Sequence, residues 1–323
     1  MIAFGWSLVL IISLITLIKA SGYFTEASER IGLVFGLPAF IIGVTIVAVG
    51  TSLPELVSSI FAVLKGSSEI VVGNVIGSNI TNIFLILGIT AIISKKVKTN
   101  YRFIHVDLLF LVGSSLFLAA TIWDSVFTSA EAVLCLLGLI IYSTYIVKTE
   151  REGRKTPAEE ETEKEIKEEI KEEIKLEQKT LIKFIISMFF IYLGADYTIE
   201  AAIKISDAIN IGKEVIALGA VAFGTSLPEL VVSISAVRSG KPEIAVGNIL
   251  GSNIFNTFAV MGIPAFIGTI TIPSSILTFA LPIMLIATLL YYFIIHDEEF
   301  ANWEGWFLIL FYLFFISKIF GLV

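Results

Sequence analysis

The sequence predicts an all-α polytopic membrane protein with ten transmembrane helices in two inverted five-helix repeats. Three observations lead there. Hydrophobic residues make up 56 % of the 323 and charged residues only 16 %, with a mean hydropathy of +0.91; a soluble domain averages about 45–50 % and about 25 %. The string Gly50-Thr51-Ser52-Leu53-Pro54-Glu55-Leu56-Val57 returns unchanged as Gly224-Thr225-Ser226-Leu227-Pro228-Glu229-Leu230-Val231. Each repeat holds an odd number of spans, so the second copy enters the bilayer from the opposite side, related to the first by a pseudo-two-fold axis in the membrane plane.

The repeat is long. The same offset, 229 − 55 = 174 residues, carries Gly73-Asn74 and Gly77-Ser78-Asn79-Ile80 onto Gly247-Asn248 and Gly251-Ser252-Asn253-Ile254. It carries Asn82 onto Asn256, and Tyr23 and Glu26 onto Tyr197 and Glu200. One register held over such a distance marks a duplicated unit.

In chain order, apolar stretches long enough to cross a bilayer fall at about 2–22, 38–65, 69–94, 104–123 and 128–148, then 180–206, 213–238, 242–268, 274–296 and 303–321. The first is too long for a signal-peptide core and lacks a positive leader, so it is expected to be a retained span. The second and seventh hold the repeated string, and the third and eighth the Gly-Asn and Gly-Ser-Asn motifs. Cys135 is the sole cysteine, which excludes an internal disulfide and a cysteine metal cluster; in mid-span it reads as packing. His105, His296, Trp123, Asp124, Trp303 and Trp306 fall near membrane boundaries, where an interfacial belt is expected. Asp196 and Glu200, late in the sixth span, read as structurally paired charges, with a cation vestibule as the other possibility.

Residues 1–148 thus form the first transmembrane repeat, 149–179 a charged linker and 180–323 the second repeat. In the linker Ile166, Ile170 and Ile174 make one thin stripe among Lys and Glu, too narrow for a core. Glu168–Lys171 and Glu172–Lys175 pairs would support a solvated helix. The acids show no EF-hand pattern and no loop glycine. Arg30, Lys95, Lys96, Lys98, Arg102, Arg238 and Lys241 lie on the linker's side, and Lys65, Lys204, Lys213 and Lys318 on the other. The positive-inside rule then places the linker in the cytoplasm and both termini outside, in a multi-pass protein of the cell membrane.

Ser52 and Glu55 have the spacing of a capping box, and proline is tolerated in a first helical turn; on that reading each string merely restarts a broken helix. Cost argues for more. A carboxylate at mid-membrane is unfavourable by roughly 2.5–3.5 kcal/mol on insertion scales, and a continuous helix would avoid both the break and the charge. Keeping both, twice, points to a site. Broken helix at membrane depth survives only inside protein or beside a water-filled cavity. With Gly50 and Gly224 ending the first half-helices, carbonyls near Thr51 and Thr225 join Glu55 and Glu229 in an all-oxygen nest. Ser78, Asn82, Ser252 and Asn256 add neutral oxygens. Hard cations favour such a set. Gly73 and Gly77, four apart like Gly247 and Gly251, allow close helix approach and form the second wall.

Ala48-Val49-Gly50-Thr51-Ser52-Leu53-Pro54-Glu55 with Gly73-Asn74 and Gly77-Ser78-Asn79, repeated at 222–229 and 247–253, resembles the paired alpha-repeats of the cation/calcium exchanger superfamily. The branch it is most similar to is the prokaryotic sodium/calcium exchangers. The resemblance covers all ten spans. It implies an antiporter with calcium held by Glu55, Glu229 and the Thr51 and Thr225 carbonyls. It implies sodium sites near Ala48, Ser52 and Ser78 and near Ala222, Ser226 and Ser252, and a first and sixth span that slide against the rest. Many members carry Asp where this chain has Asn256, which removes an acid from the centre and argues against the potassium-dependent branch.

No cofactor, nucleic acid or obligate protein partner is expected; the ligands are calcium and sodium ions and the surroundings a lipid bilayer. Within transport the alternative is a calcium/proton antiporter using the same two Glu. From other classes come a calcium channel and an intramembrane enzyme. Inverted repeats favour a carrier, and no nucleophile–base pair accompanies the motifs.

Overall fold

The computed structural model describes residues 2–34, 47–94, 96–98, 104–152, 178–209, 211–238, 242–296 and 299–322. The molecule is nearly all helical. Seven of the described helices are long and apolar enough to cross a membrane: Phe4–Phe24, Glu69–Ser94, Ser129–Ile146, Gln178–Ile209, Lys213–Arg238, Ala245–Phe266 and Ile276–Ile295. The remaining expected spans appear as shorter apolar helices, Leu53–Leu64 and Asp107–Thr121, and as the terminal helix Asn302–Ile319. The charged stretch expected as a linker lies largely outside the described residues, as do the side chains of His105 and His296.

Two short antiparallel strand pairs, not foreseen in the sequence, join connections across the two halves. Lys96–Lys98 pairs with Glu299–Ala301, and Val126–Phe127 with Ile270–Thr271. Shifted by the 174-residue offset, the partners Lys96 and Ala301 become Ile270 and Phe127, which are themselves partners. The first ladder maps onto the second in register.

Most of the core is one cluster of buried aliphatic and aromatic side chains. A second, small one lies between the first helix, Ile2–Val34, and the helix Gln178–Ile209, built from Leu17, Ala20, Ile191 and Ala195. Thr198 there donates to Ser13 at 2.8 Å, and a Cβ on Gly194 would sit 2.9 Å from Leu17. The same pair of helices is joined by an ion pair between Lys183 and Glu26. Towards its other end, Asp196 accepts from Lys65 at 2.6 Å with Glu200 at 3.7 Å, the structural pairing expected for those acids. Cys135 is free and buried, as its mid-span position suggested. Trp123, Trp303 and Trp306 are exposed, in keeping with a belt.

The face of Gly73 and Gly77 does what its spacing suggested. A Cβ on Gly77 would lie 2.7 Å from the Ala222 Cβ and 2.8 Å from the Leu218 carbonyl oxygen; one on Gly73 would lie 2.8 Å from Ala217. Because backbone is among the obstacles, the neighbour cannot simply turn aside. Gly77→Ala is therefore expected to lower stability by about 1–3 kcal/mol, the usual range for overpacking. Gly113→Ala, mid-helix with nothing within 4 Å, should instead be neutral or stabilising by up to about 1 kcal/mol. Unfolding in detergent measures both.

Candidate cation site

Each repeated string forms a helix with a one-residue fault. Ala48–Thr51 and Leu53–Leu64 flank Ser52, which has φ −85° and ψ 5°; Ala222–Thr225 and Leu227–Arg238 flank Ser226, with φ −82° and ψ 4°. Pro54 and Pro228 lack the N–H that would reach four residues back, which is where the ladder must adjust. The adjustment is small. Ser52 N–H still donates to Ala48 O at 3.0 Å, and Leu56 N–H to Ser52 O at 3.1 Å. The fault thus sits at the serine rather than at Gly50.

The capping-box expectation is corrected here. Ser52 makes no side-chain cap bond. Its hydroxyl instead crosses to the other half and donates to Glu229 Oε1 at 3.0 Å, while the Ser226 hydroxyl donates to Glu55 Oε1 at 3.1 Å.

The exchange is reciprocal further out. Thr51 donates to Asn248 Oδ1 and Thr225 to Asn74 Oδ1, each at 3.4 Å. Asn74 Nδ2 donates to the Glu55 carbonyl and to Ser59, each at 3.2 Å, and Asn248 Nδ2 to Ser233 at 3.3 Å. Asn82 donates to Asn253 Oδ1 at 3.0 Å and Asn256 to Asn79 Oδ1 at 3.2 Å. Asn74, Asn79, Asn248 and Asn253 belong to the repeated motifs but not to the site residues expected from the sequence. The offset carries their signal; their contacts to the opposite repeat are what local pattern cannot show.

π-helical turns at Thr81–Leu87 and Asn256–Val260 carry Asn82 and Asn256. Such wide turns are uncommon and concentrate at functional sites.

All twelve predicted site residues are buried: Ala48, Thr51, Ser52, Glu55, Ser78 and Asn82, and Ala222, Thr225, Ser226, Glu229, Ser252 and Asn256. Ala222 is the residue that the Gly77 face rests against, next to Ser78. The two carboxylates are near enough to repel each other. Several oxygens in this set have no hydrogen-bond partner: Glu55 Oε2, Glu229 Oε2, Ser78 Oγ, Ser252 Oγ, Asn82 Oδ1 and Asn256 Oδ1. Buried polar atoms are ordinarily satisfied, so unsatisfied ones need an explanation. Here the six form three matched pairs under the 174-residue offset, and the Nδ2 of Asn253, whose Oδ1 accepts from Asn82, is unpartnered as well. Among the described residues no three His, Cys, Asp or Glu side chains gather to hold a metal; the charge comes from two carboxylates alone.

A pair of carboxylates enclosed within neutral oxygens in a helical membrane protein suits a cation. The chain belongs to the sodium/calcium exchanger family: the model of the sodium/calcium exchanger protein family matches residues 6–148 and 179–320. It is 34 % identical to sodium/calcium exchanger MaX1 of Methanosarcina acetivorans, over 97 % of this chain and 98 % of that one. It is 30 % identical to inner membrane protein YrbG of Escherichia coli, over 80 % and 78 %. A solved structure of the sodium-calcium exchanger NCX_Mj, soaked with Na+ and Ca2+, superposes with a TM-score of 0.69 at 29 % identity, covering 98 % of each chain.

Proposed function

We propose that this chain exchanges sodium for calcium across a membrane by alternating access, the two ions using one site in turn. Calcium is held by the carboxylates of Glu55 and Glu229 and by the main-chain carbonyls of Thr51 and Thr225. Sodium sites lie near Ala48, Ser52 and Ser78 and near Ala222, Ser226 and Ser252, with Asn82 and Asn256 adding uncharged oxygen.

The observation that carries the reading is the set of buried, unpartnered oxygens around the two carboxylates. Calcium takes six to eight oxygen ligands. Two carboxylates balance its charge, and the cation in turn offsets the cost of burying them. Complete burial of both Glu side chains favours a carrier over a channel, since ions reach a sealed site only when the surrounding helices move.

The architecture that serves this reading has ten spans in two inverted repeats, 1–148 and 180–323, joined by a cytoplasmic linker at 149–179, with both termini outside. What supports a two-fold relation of the repeats is reciprocity: the Ser–Glu, Thr–Asn and Asn–Asn bonds and the two strand pairs all exchange under one offset; the odd number of expected spans per repeat makes that relation an inversion. The family match also falls in two stretches on either side of the charged segment.

Calcium flux in sealed proteoliposomes under separately imposed sodium, potassium and proton gradients tests the proposal. An outward sodium gradient should drive calcium uptake uphill. Uptake that follows a pH gradient and ignores sodium would assign the protein to calcium/proton exchange. Calcium movement that only runs downhill would make it a channel.

A further inference from the structure

Between the first helix and the helix Gln178–Ile209 runs a groove of about 620 Å³ on the outer face of the protein, within the roughly 300–1,000 Å³ of small-molecule sites. One wall is apolar, with Ile182, Ile186 and Phe190 all exposed. Lys19, Lys179 and Lys183 line the same groove. Phe24 meets Phe184 at 4.6 Å and Glu26 pairs with Lys183. The groove therefore lies at the end of the helix pair where the apolar stretch Phe4–Phe24 runs out.

The charges there do not balance. Lys183 is shared with Glu26 and lies 4.8 Å from the centre of the Tyr23 ring. Lys19 and Lys179 are exposed, and among the described residues neither joins an ion pair. The hydroxyls of Thr16 and Ser187, also in the groove, donate to carbonyls of their own helices, Ile12 and Phe184. Among the described side chains, three ammonium groups thus face one carboxylate. Lys19 lies inside the apolar stretch, where its stem can follow the groove while the ammonium reaches outward to headgroup level. An apolar cleft ending in excess positive charge at a bilayer boundary matches a molecule with an apolar tail and a negative head.

We propose that this groove binds an anionic phospholipid, its phosphate held among Lys19, Lys179 and Lys183 and an acyl chain lying along Ile182, Ile186 and Phe190. A basic residue near an anionic headgroup favours binding by about fivefold, so loss of two should weaken it by about 25-fold. A zwitterionic lipid would fill the cleft but gain little from the lysines.

The full chain, purified and delipidated, is offered phosphatidylglycerol and phosphatidylcholine in mixed micelles, and retained lipid is counted by native mass spectrometry. The parent should keep phosphatidylglycerol in preference, and the double variant Lys19→Gln/Lys179→Gln should lose about 25-fold of that preference while still unfolding at the parent's temperature in phosphatidylcholine. Ile186→Trp, which fills the cleft without touching charge, should also reduce retention, and serves alone if the double variant does not fold. Inorganic phosphate in excess should fail to displace the lipid. Equal retention of both lipids by the parent, an undiminished preference in the double variant, undiminished retention in Ile186→Trp, or displacement by phosphate alone would overturn the proposal. Retention is read without transport, so it stands or falls apart from sodium/calcium exchange.

Discussion

Glu55→Gln and Glu229→Gln are each expected to abolish calcium exchange while leaving the protein folded. Glutamine keeps the shape and an oxygen for the serine across the site, so Ser226 or Ser52 retains its acceptor. What is lost is half of the charge that balances calcium. Changes to groups that only support metal ligands commonly lower affinity by roughly 10–100-fold, and loss of a charged ligand should exceed that. Removing a buried charge also relieves repulsion between the two carboxylates, so thermal stability without calcium should hold or rise. The measurement pairs calcium uptake in proteoliposomes with thermal unfolding of the same preparation. Near-normal uptake by both single variants would mean that the site has been misplaced; loss of uptake with loss of fold would leave Glu→Asp, which keeps the charge, to separate the two effects.

Exchange is expected to move net charge. Two carboxylates balance one calcium ion or two sodium ions, and Asn82 and Asn256 contribute oxygen without charge. The family resemblance implies that more than two sodium ions return for each calcium. The sodium-loaded site then carries excess positive charge, eased by cavity water and by helix ends whose carbonyls bear partial negative charge. One net charge crossing 100 mV is worth about 2.3 kcal/mol, which corresponds to a roughly 50-fold change in the calcium ratio reached at equilibrium. Calcium uptake under an outward sodium gradient, with the potential clamped by potassium and an ionophore, should shift by that order. Sodium-driven uptake indifferent to voltage would keep the exchanger and remove the overloaded site. Asn256→Asp should alter sodium affinity or pH dependence more than calcium selectivity. Asn256 now donates to Asn79 Oδ1 at 3.2 Å, a bond that an ionised carboxylate cannot make.

Much of the proposed site is legible because duplication writes it twice. Glu55, Ser52, Ser78 and Asn82 could each be checked against a copy, and the structure buries all four with their counterparts. The direction of the serines was not legible. Ser52 has the spacing of a cap, and local pattern cannot show that its hydroxyl reaches Glu229, 177 residues away. The roles of Asn74 and Asn248 were hidden for the same reason. The π turns at Thr81–Leu87 and Asn256–Val260 leave no mark on apolar periodicity, because the surrounding helix is buried on every side. Two- and three-residue strands lie below what alternation can reveal. The pairing of Lys65 with Asp196 was foreseen only from the acid's side, since its partner lies in another helix.

The strand pairs tell something about ancestry. Lys96–Lys98 finds its partner in the second half and Val126–Phe127 does the same, in matching register. Ser52 with Glu229 and Ser226 with Glu55 is likewise one contact made twice. Contacts that swap under a two-fold operation are those of an isologous interface, in which one patch is complementary to itself. Two copies of a single half could make every one of them. On the inverted arrangement proposed above, an ancestral five-helix protein inserted in both orientations would have met its own copy across that two-fold axis and closed the same nest of oxygens. Fusion would then have added little to the geometry. It freed the two copies to diverge, so that the helix opposite Val9 could acquire Lys183, and the turn opposite Ser239 could acquire Lys65.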